Sequence, residues 1–215
     1  GAEKFLIIKC RAAGISPKVV VIVATVRALK YHGGADLKEL TDENLDALNS
    51  GIPNLEKHIE NMKGFGLPVV VSINAFSSDT EAELNMIKDR CAVLGVKAAI
   101  STGWADGGAG CTTLAEYVVE AAESCEGPFK PTYDLEDTIE NKINSIAKSI
   151  YGDDGVNFTP KAKKQMRRFA ELGFDKFPIC MAKTQKSLSD SDALRGRPTG
   201  FKINIREFEV AAGAG

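Results

Sequence analysis

Apolar runs divide the first part of the chain into three predicted strands. Residues 18–25 read KVVVIVAT, a β-branched run typical of a strand buried on both faces of a parallel sheet. Residues 68–74 and 96–101 have the same apolar character, so two further strands are expected there. Each run is followed by a polar or glycine-bearing loop and then by residues with helical spacing. The pattern therefore predicts repeated strand–helix units.

The segments between these runs show the spacing of amphipathic helices. Helices are predicted over residues 2–13, from Thr41 to about Phe65 with an interruption near Gly51 and Pro53, from Asp79 or Thr80 to about Leu94, and over 112–123. Alternating strands and helices predict an α/β fold with a doubly wound, mostly parallel sheet. Functional loops in such folds lie at the carboxyl ends of the strands.

The pattern changes after a stretch with two prolines, residues 127–134. Beyond it we predict helices over 135–150 and 160–172 and short strands over 178–182 and 201–210. The predicted domains are part of an α/β domain over 1–126 and an appended, incomplete α+β subdomain over 135–215. The chain opens within an amphipathic pattern and stops in a Gly-Ala stretch, so we expect a piece of a longer polypeptide.

Composition narrows the functional classes. Lysine and arginine number 27 against 29 acidic residues, so no strong basic field favours nucleic acid as a partner. The apolar runs are far shorter than a bilayer span, and the chain does not open with a secretion signal, so we expect a cytoplasmic protein without a membrane partner. The five cysteines and two histidines form no zinc pattern, which predicts reduced structural thiols and no metal site.

Two strand ends carry candidate binding residues. Asn74 directly follows a buried strand, and its amide can both donate to and accept from the edge of a purine base. The alternative is an ordinary turn in which Asp79 caps the next helix. The chain's only tryptophan, Trp104, lies in a glycine-rich loop after the next strand, where a flat aromatic ring suits stacking on a planar ligand. The alternative for Trp104 is packing on a helix.

Cations and polar groups follow two other strands. Arg27, Lys30 and His32 come after the first strand, where they can meet phosphate or carboxylate or can form a solvated helix face. Lys183, Thr184 and Gln185 follow a short apolar segment and form either a polar pocket or a solvated loop. The 215 residues contain no GxxxxGK[ST] and no GxGxxG after a strand, so a standard phosphate loop is not found in this sequence.

Taken in order, several segments resemble one family. VATVRALKYHGG, VVVSINAFSSDTEAEL, STGWADGGAG, FPICMAKTQKSLSD and PTGFKINIRE are similar to formate–tetrahydrofolate ligase, also called formyltetrahydrofolate synthetase, and the opening GAEKF and IKCR resemble it too. The resemblance covers essentially the whole chain, and its most specific segment is VATVRALKYHGG.

The resemblance implies an activity and a set of ligands. The family uses ATP to phosphorylate formate, and N10 of tetrahydrofolate then attacks formyl phosphate to give 10-formyltetrahydrofolate, ADP and phosphate. It further implies Mg with the ATP, a monovalent cation as activator, a homotetramer, and a fold related to P-loop nucleotidases of the nitrogenase iron-protein type. The phosphate-binding catalytic residues are expected before residue 1. We therefore expect this chain to need the remaining part of the same polypeptide and to be inactive alone.

The resemblance also assigns residues. Phe76 and Trp104 match aromatics that look like the two sides of a folate sandwich, while Asn74 and Ser101 are assigned to nucleotide binding. Arg27 and residues 183–185 are carried over as a polar pocket without defined roles. Two alternatives stay open, a non-catalytic folding or assembly module of the enzyme and a nucleotide-binding switch. The aromatic pair favours the ligase over a switch, since a switch does not require it.

Overall fold

The structure, a computed structural model, describes residues 1–211 and divides into two compact units. The first, called here the terminal unit, comprises residues 1–16, 129–194 and those from 198 onward. The second, the sheet unit, comprises residues 17–128 and 195–197. The break after residue 128 falls inside the stretch predicted as a boundary, whereas residues 1–16 group with the later part of the chain. Most of the predicted Gly-Ala end, residues 212–215, lies outside the described residues.

The helices predicted over 2–13 and 112–123 have the predicted bounds, the other predicted helices have changed bounds, and Val26–His32, left open as an alternative for its segment, is also a helix. Helix α1 consists of the α-helical turns Ala2–Lys4 and Arg11–Ala13 around the π-helical stretch Phe5–Cys10. The other longer helices are α2, Val26–His32; α3, Leu45–Gly64; α4, Glu81–Val93; α5, Thr112–Glu123; α6, Ile139–Ile146, followed by the π-helical stretch Ala147–Tyr151; and α7, Pro160–Glu171. Three short helical segments complete the described helices: Gly103–Asp106, which carries Trp104, Ala109–Cys111 and Phe174–Lys176. Among the described helices, none is both long and apolar enough to cross a membrane.

The sheet unit is built on three parallel strands, which confirms an α/β protein. Strands β1, Val20–Ala24, β2, Val69–Asn74, and β3, Lys97–Ser101, lie in the order β1-β2-β3. The central strand β2 is almost wholly buried. Val23 of β1, by contrast, is 66% exposed, so the prediction that this run is buried on both faces is wrong. Val21 and Val23 are both exposed and lie on the same face of β1, because side chains alternate along a strand, so that face is uncovered in the described part of the sheet.

Helix α3 differs from its prediction at both marked positions. It begins at Leu45 rather than after Thr41, because the Asn44 side chain accepts a hydrogen bond from the Ala47 amide at 2.9 Å and so caps the helix. It also continues through Gly51 and Pro53 to Gly64 without a break. Gly51 lies against α2 so closely that a Cβ there would come within 1.8 Å of the Leu29 carbonyl oxygen. Close packing of two helices thus overrides the local helix-breaking signal.

A buried ion pair joins the beginnings of α3 and α4 to α2. The Lys30 ammonium donates to the Glu83 carboxylate at 2.7 Å and to the Asp42 carbonyl at 2.8 Å, and both side chains of the pair are fully buried. The same carboxylate accepts hydrogen bonds from the Asn44 and Thr80 amides. Burial alone would raise the pKa of Glu83, but these hydrogen bonds outweigh it and lower the pKa. Three helices are therefore held in register by one charged group.

The terminal unit contains a smaller parallel sheet than predicted. Strands β4, Val156–Phe158, and β5, Ile203–Ile205, form its two-stranded ladder. The predicted strand over 201–210 is thus shortened, and the one over 178–182 is wrong. Within that segment the Ile179 amide donates to the Tyr133 hydroxyl at 2.9 Å, so a side chain takes the place of a neighbouring strand.

Candidate functional site

Two loops of the sheet unit begin side by side at one edge of its sheet. Asn74 and Ser101 are the last residues of β2 and β3 and are partners in the parallel register. The ladder continues one step further, because the Ala75 amide donates to the Ser101 carbonyl at 3.1 Å. The loops over 75–80 and 102–111 therefore begin at one edge of the sheet, at the carboxyl ends of neighbouring strands. Within the described residues the Asn74 side-chain amide has no hydrogen-bond partner.

Trp104 is held at this edge with its ring uncovered. Its indole N–H donates to the Ala75 carbonyl at 2.7 Å, yet 64% of the residue is exposed. A tryptophan packed into a core would lose almost all of its exposure, so the packing alternative does not describe this residue. The hydrogen bond places the indole beside the loop that carries Phe76, the next residue after Ala75. Trp104 is thus attached to the backbone at the start of the loop that carries Phe76.

The loop that carries Trp104 is closed at its base. The Thr102 amide donates to the Gly110 carbonyl at 3.1 Å, and the Ser101 hydroxyl lies 3.2 Å from the Cys111 sulfur. A Cβ on Gly110 would lie 2.8 Å from the Thr102 carbonyl carbon, so only glycine permits this approach. Sequence reasoning did not find Cys111, because nothing in its spacing shows that it returns to Ser101.

The Phe76 loop is a tight turn fastened by Asp79. One Asp79 carboxylate oxygen accepts from the Phe76 amide at 2.9 Å, and the Asp79 amide donates back to the Phe76 carbonyl at 3.0 Å. The cap of helix α4 is Thr80, which forms a capping box with Glu83. The alternative in which Asp79 caps the helix is therefore wrong. Asp79 instead fixes the backbone of Phe76.

One of the three cations after β1 lies at this edge. The Arg27 guanidinium carbon is 4.6 Å from the centre of the Phe76 ring, and an N–H of the same group donates to the Ser78 hydroxyl at 3.1 Å. Lys30 instead forms the buried ion pair with Glu83. His32 accepts a hydrogen bond from the Gly196 amide at 3.2 Å. Neither of these two side chains forms the solvated face that was the alternative for this segment.

Residues 183–185 belong to the terminal unit. The Lys183 ammonium lies 4.8 Å from the Tyr151 ring centre and donates to the carbonyls of Thr184 and Ser187. The Thr184 hydroxyl donates to Asp192, while Gln185 is exposed. Burial, partly opposed by Asp190, lowers the pKa of Lys183. Apart from the Tyr151 ring, these partners lie within one loop, and the predicted polar pocket remains a prediction.

Side chains that could hold a metal ion are not grouped in the part of the chain that the structure describes. Among residues 1–211 no group of three or more histidine, cysteine, aspartate or glutamate side chains is placed to hold one. The sheet edge instead carries the Asn74 amide, the Ser101 hydroxyl and the Arg27 guanidinium, which are hydrogen-bonding groups.

The fold and this edge define an α/β protein with a candidate small-molecule site at the carboxyl ends of parallel strands. A family model described as formate–tetrahydrofolate ligase matches residues 1–215, the whole chain, so the chain belongs to that family. The resemblance seen in the sequence is thereby confirmed. Membership places the chain among ATP-dependent ligases of one-carbon metabolism whose substrates include formate and tetrahydrofolate.

Proposed function

We propose that the sheet unit contributes the tetrahydrofolate site and part of the nucleotide site of an ATP-dependent formate–tetrahydrofolate ligase. In this reaction formate takes the γ-phosphoryl group of ATP, N10 of tetrahydrofolate attacks the formyl carbon, and phosphate leaves. Phe76 and Trp104 bind the pterin ring, and Asn74 with Ser101 contacts adenine. The complete activity requires further residues of the same polypeptide, in a cytoplasmic homo-oligomer with a doubly wound sheet of P-loop type.

One observation carries this proposal, the exposed ring of Trp104 fastened next to the Phe76 loop. Hydrogen bonding of the indole N–H to Ala75 fixes the ring while leaving its surface available. Stacking a flat heterocycle on such a ring contributes about 1 to 3 kcal/mol per contact, by analogy with nucleic-acid bases on aromatic side chains. Two contacts from one edge would bind and orient the pterin ring, so that N10 meets the formyl donor in a fixed geometry.

The nucleotide role rests on the neighbouring strand ends. Asn74 offers an amide without a partner among the described residues, and Ser101 is its register partner on β3. An amide that donates and accepts at once matches the edge of adenine. Arg27 brings positive charge to the same edge, where the substrates carry phosphate and carboxylate groups. For residues 183–185 we propose only that they line a polar pocket.

The proposal is tested by separating the two substrates in the natural polypeptide that carries these residues. Trp104→Ala is expected to raise the KM for tetrahydrofolate by roughly tenfold or more, as loss of one stack requires, and to leave the KM for ATP nearly unchanged. Asn74→Ala should show the reverse selectivity. Val93→Ala, at a residue that is 78% exposed on α4, is the control and should change neither constant. Equal effects on both substrates, or none, would refute this assignment of residues.

A further inference from the structure

Arg27 occupies an unusual position for an arginine. It lies in the first turn of α2, where the helix dipole disfavours a positive charge. Its guanidinium makes none of the ion pairs found among residues 1–211, and its Nε is buried there without a hydrogen-bond partner. Neither helix stability nor charge pairing accounts for this placement.

The partners that Arg27 does have all belong to the Phe76 turn. The guanidinium carbon is 4.6 Å from the Phe76 ring centre, within the range of a cation–π contact. Its terminal N–H group is anchored on the Ser78 hydroxyl at 3.1 Å, two residues further along the same turn. Asp79 fixes the backbone of that turn from the other end. The ring of Phe76 is therefore held by its backbone on one side and by a planar cation on one face.

We propose that Arg27 is a positioning residue for Phe76, which keeps one face of the ring covered and leaves only the opposite face to the pterin of tetrahydrofolate. The inference rests on the proposed function, since it assumes that Phe76 is part of the folate site. A cation on one face draws electron density away from the opposite face of the ring. The electron-rich ring system of a reduced pterin then stacks more favourably on that opposite face.

This mechanism differs from direct ligand binding by Arg27. If the guanidinium held the glutamate carboxylates of folate, its contribution would not depend on Phe76 and would disappear with tetrahydropteroate, which has no glutamate. If it acts through the ring, its contribution disappears when the ring is removed and persists with tetrahydropteroate. The two roles are thus separated by a double-mutant cycle and by a truncated ligand.

The experiment measures tetrahydrofolate dissociation constants from the emission of Trp104, the only tryptophan of the 215 residues. Arg27→Met, which keeps the length of the side chain, is expected to raise the Kd about three- to thirtyfold, a coupling within the range found between residues in contact, because the ring loses the cation that holds and polarises it. In a Phe76→Leu background the same substitution should change the Kd less than about twofold, since the ring it acts on is gone. In the protein that retains Phe76, the increase in Kd caused by Arg27→Met should persist when tetrahydropteroate replaces tetrahydrofolate. Arg27→Lys should recover only part of the affinity, because lysine lacks the planar fork that stacks and reaches Ser78.

Matched controls exclude a general loss of structure. The Arg195 guanidinium lies 4.1 Å from the Tyr31 ring centre in the same unit, and Arg195→Met should leave the Kd unchanged. Thermal unfolding of each variant shows whether it is folded. If Arg27→Met does not fold, Ser78→Ala replaces it, because this change removes only the hydroxyl that anchors the guanidinium and should also raise the Kd. Equal effects of Arg27→Met with and without the Phe76 ring, or no effect in either, would overturn the inference. If Phe76→Leu itself leaves tetrahydrofolate binding unchanged, the proposed folate site fails as well; if it weakens binding and Arg27→Met does not, only the role of Arg27 fails.

Discussion

At the scale of single residues, two side chains that depart from ordinary preferences lie at one edge of the sheet. Trp104 leaves 64% of its surface exposed, and Arg27 places a positive charge in the first turn of a helix. The buried Lys30 elsewhere in the unit is likewise unusual, but Glu83 pairs with it and so accounts for its position. Within the described residues no such partner accounts for Trp104 and Arg27, and departures of this kind are expected of a binding site.

His32 provides a pH-dependent contact away from this edge. Its Nδ1 accepts from the Gly196 amide, which requires an unprotonated nitrogen, and both burial and the nearby Arg195 lower its pKa from 6.5. The folded chain therefore binds the proton less readily than the unfolded chain. The contribution of His32 to stability is present above about pH 6.5 and is lost as the pH falls through its lowered pKa.

We expect His32→Asn to reduce this acid sensitivity, because the asparagine oxygen can accept the same hydrogen bond without titrating. Urea unfolding of the chain between pH 7.5 and 5 would measure the free energy of unfolding for both proteins. Identical pH profiles for His32→Asn and the unmodified protein would show that the hydrogen bond from Gly196 to His32 does not contribute to the pH dependence of stability.

At the scale of helices, the buried pair of Lys30 and Glu83 is the joint between three elements. Both side chains are fully buried, so removing one charge leaves the other without compensation. We expect Glu83→Gln to lower the free energy of unfolding by about 3 to 5 kcal/mol. The exposed pair of Lys97 and Glu120 provides the comparison, and Glu120→Gln should cost no more than about 1 kcal/mol. Equal decreases in the free energy of unfolding for the two variants would mean that burial does not determine how much the Lys30–Glu83 pair contributes to stability.

Gly51 tests whether close helix packing determines the course of α3. A Cβ at this position would lie 1.8 Å from the Leu29 carbonyl oxygen, so α2 and α3 would have to separate. We expect Gly51→Ala to destabilise the chain by about 1 to 3 kcal/mol or more, despite the better helix propensity of alanine. Gly64 lies in the same helix with nothing within 4 Å of its would-be Cβ, so Gly64→Ala should be neutral or slightly stabilising. A stabilising Gly51→Ala would contradict the packing seen here.

These same contacts explain which element boundaries the sequence could predict. Helix α5 spans residues 112–123 as predicted, and Thr80 caps α4, because both signals are local. The beginning of α3 could not be predicted, since Lys30 takes the Asp42 carbonyl and Asn44 becomes the cap. The segment over 178–182 likewise has strand-like composition, but its backbone binds a tyrosine hydroxyl. Partners distant in sequence decide these cases.

At the scale of the whole molecule, the family and the α/β class could be predicted from the sequence. The arrangement of residues in the candidate site could be predicted only in part. The strand-end rule placed Asn74, Ser101 and Trp104 at one edge, and the register confirms that placement for the first two. Contact between Arg27 and Phe76 could not be read from residues 49 positions apart, because it depends on how α2 follows β1 beside the end of β2. Local patterns predict elements, whereas a shared ligand surface is formed by the sheet.

As a whole, the 215-residue chain is expected to bind tetrahydrofolate without completing the ligase reaction. The sheet unit holds the candidate folate aromatics, whereas the chain contains no GxxxxGK[ST] sequence to hold the transferred phosphoryl group. We expect tetrahydrofolate to change the emission of Trp104 and to raise the unfolding midpoint, which should continue to rise with the logarithm of the ligand concentration above the Kd. With ATP, formate and tetrahydrofolate together, no 10-formyltetrahydrofolate should form, since the electrostatic stabilisation of the phosphoryl step is not provided. Trp104→Phe, which keeps an aromatic ring but loses the bond to Ala75, is the binding control and should bind with intermediate affinity. Turnover near ordinary enzyme rates, about 1 per second or faster, would show instead that these residues supply the phosphate chemistry themselves.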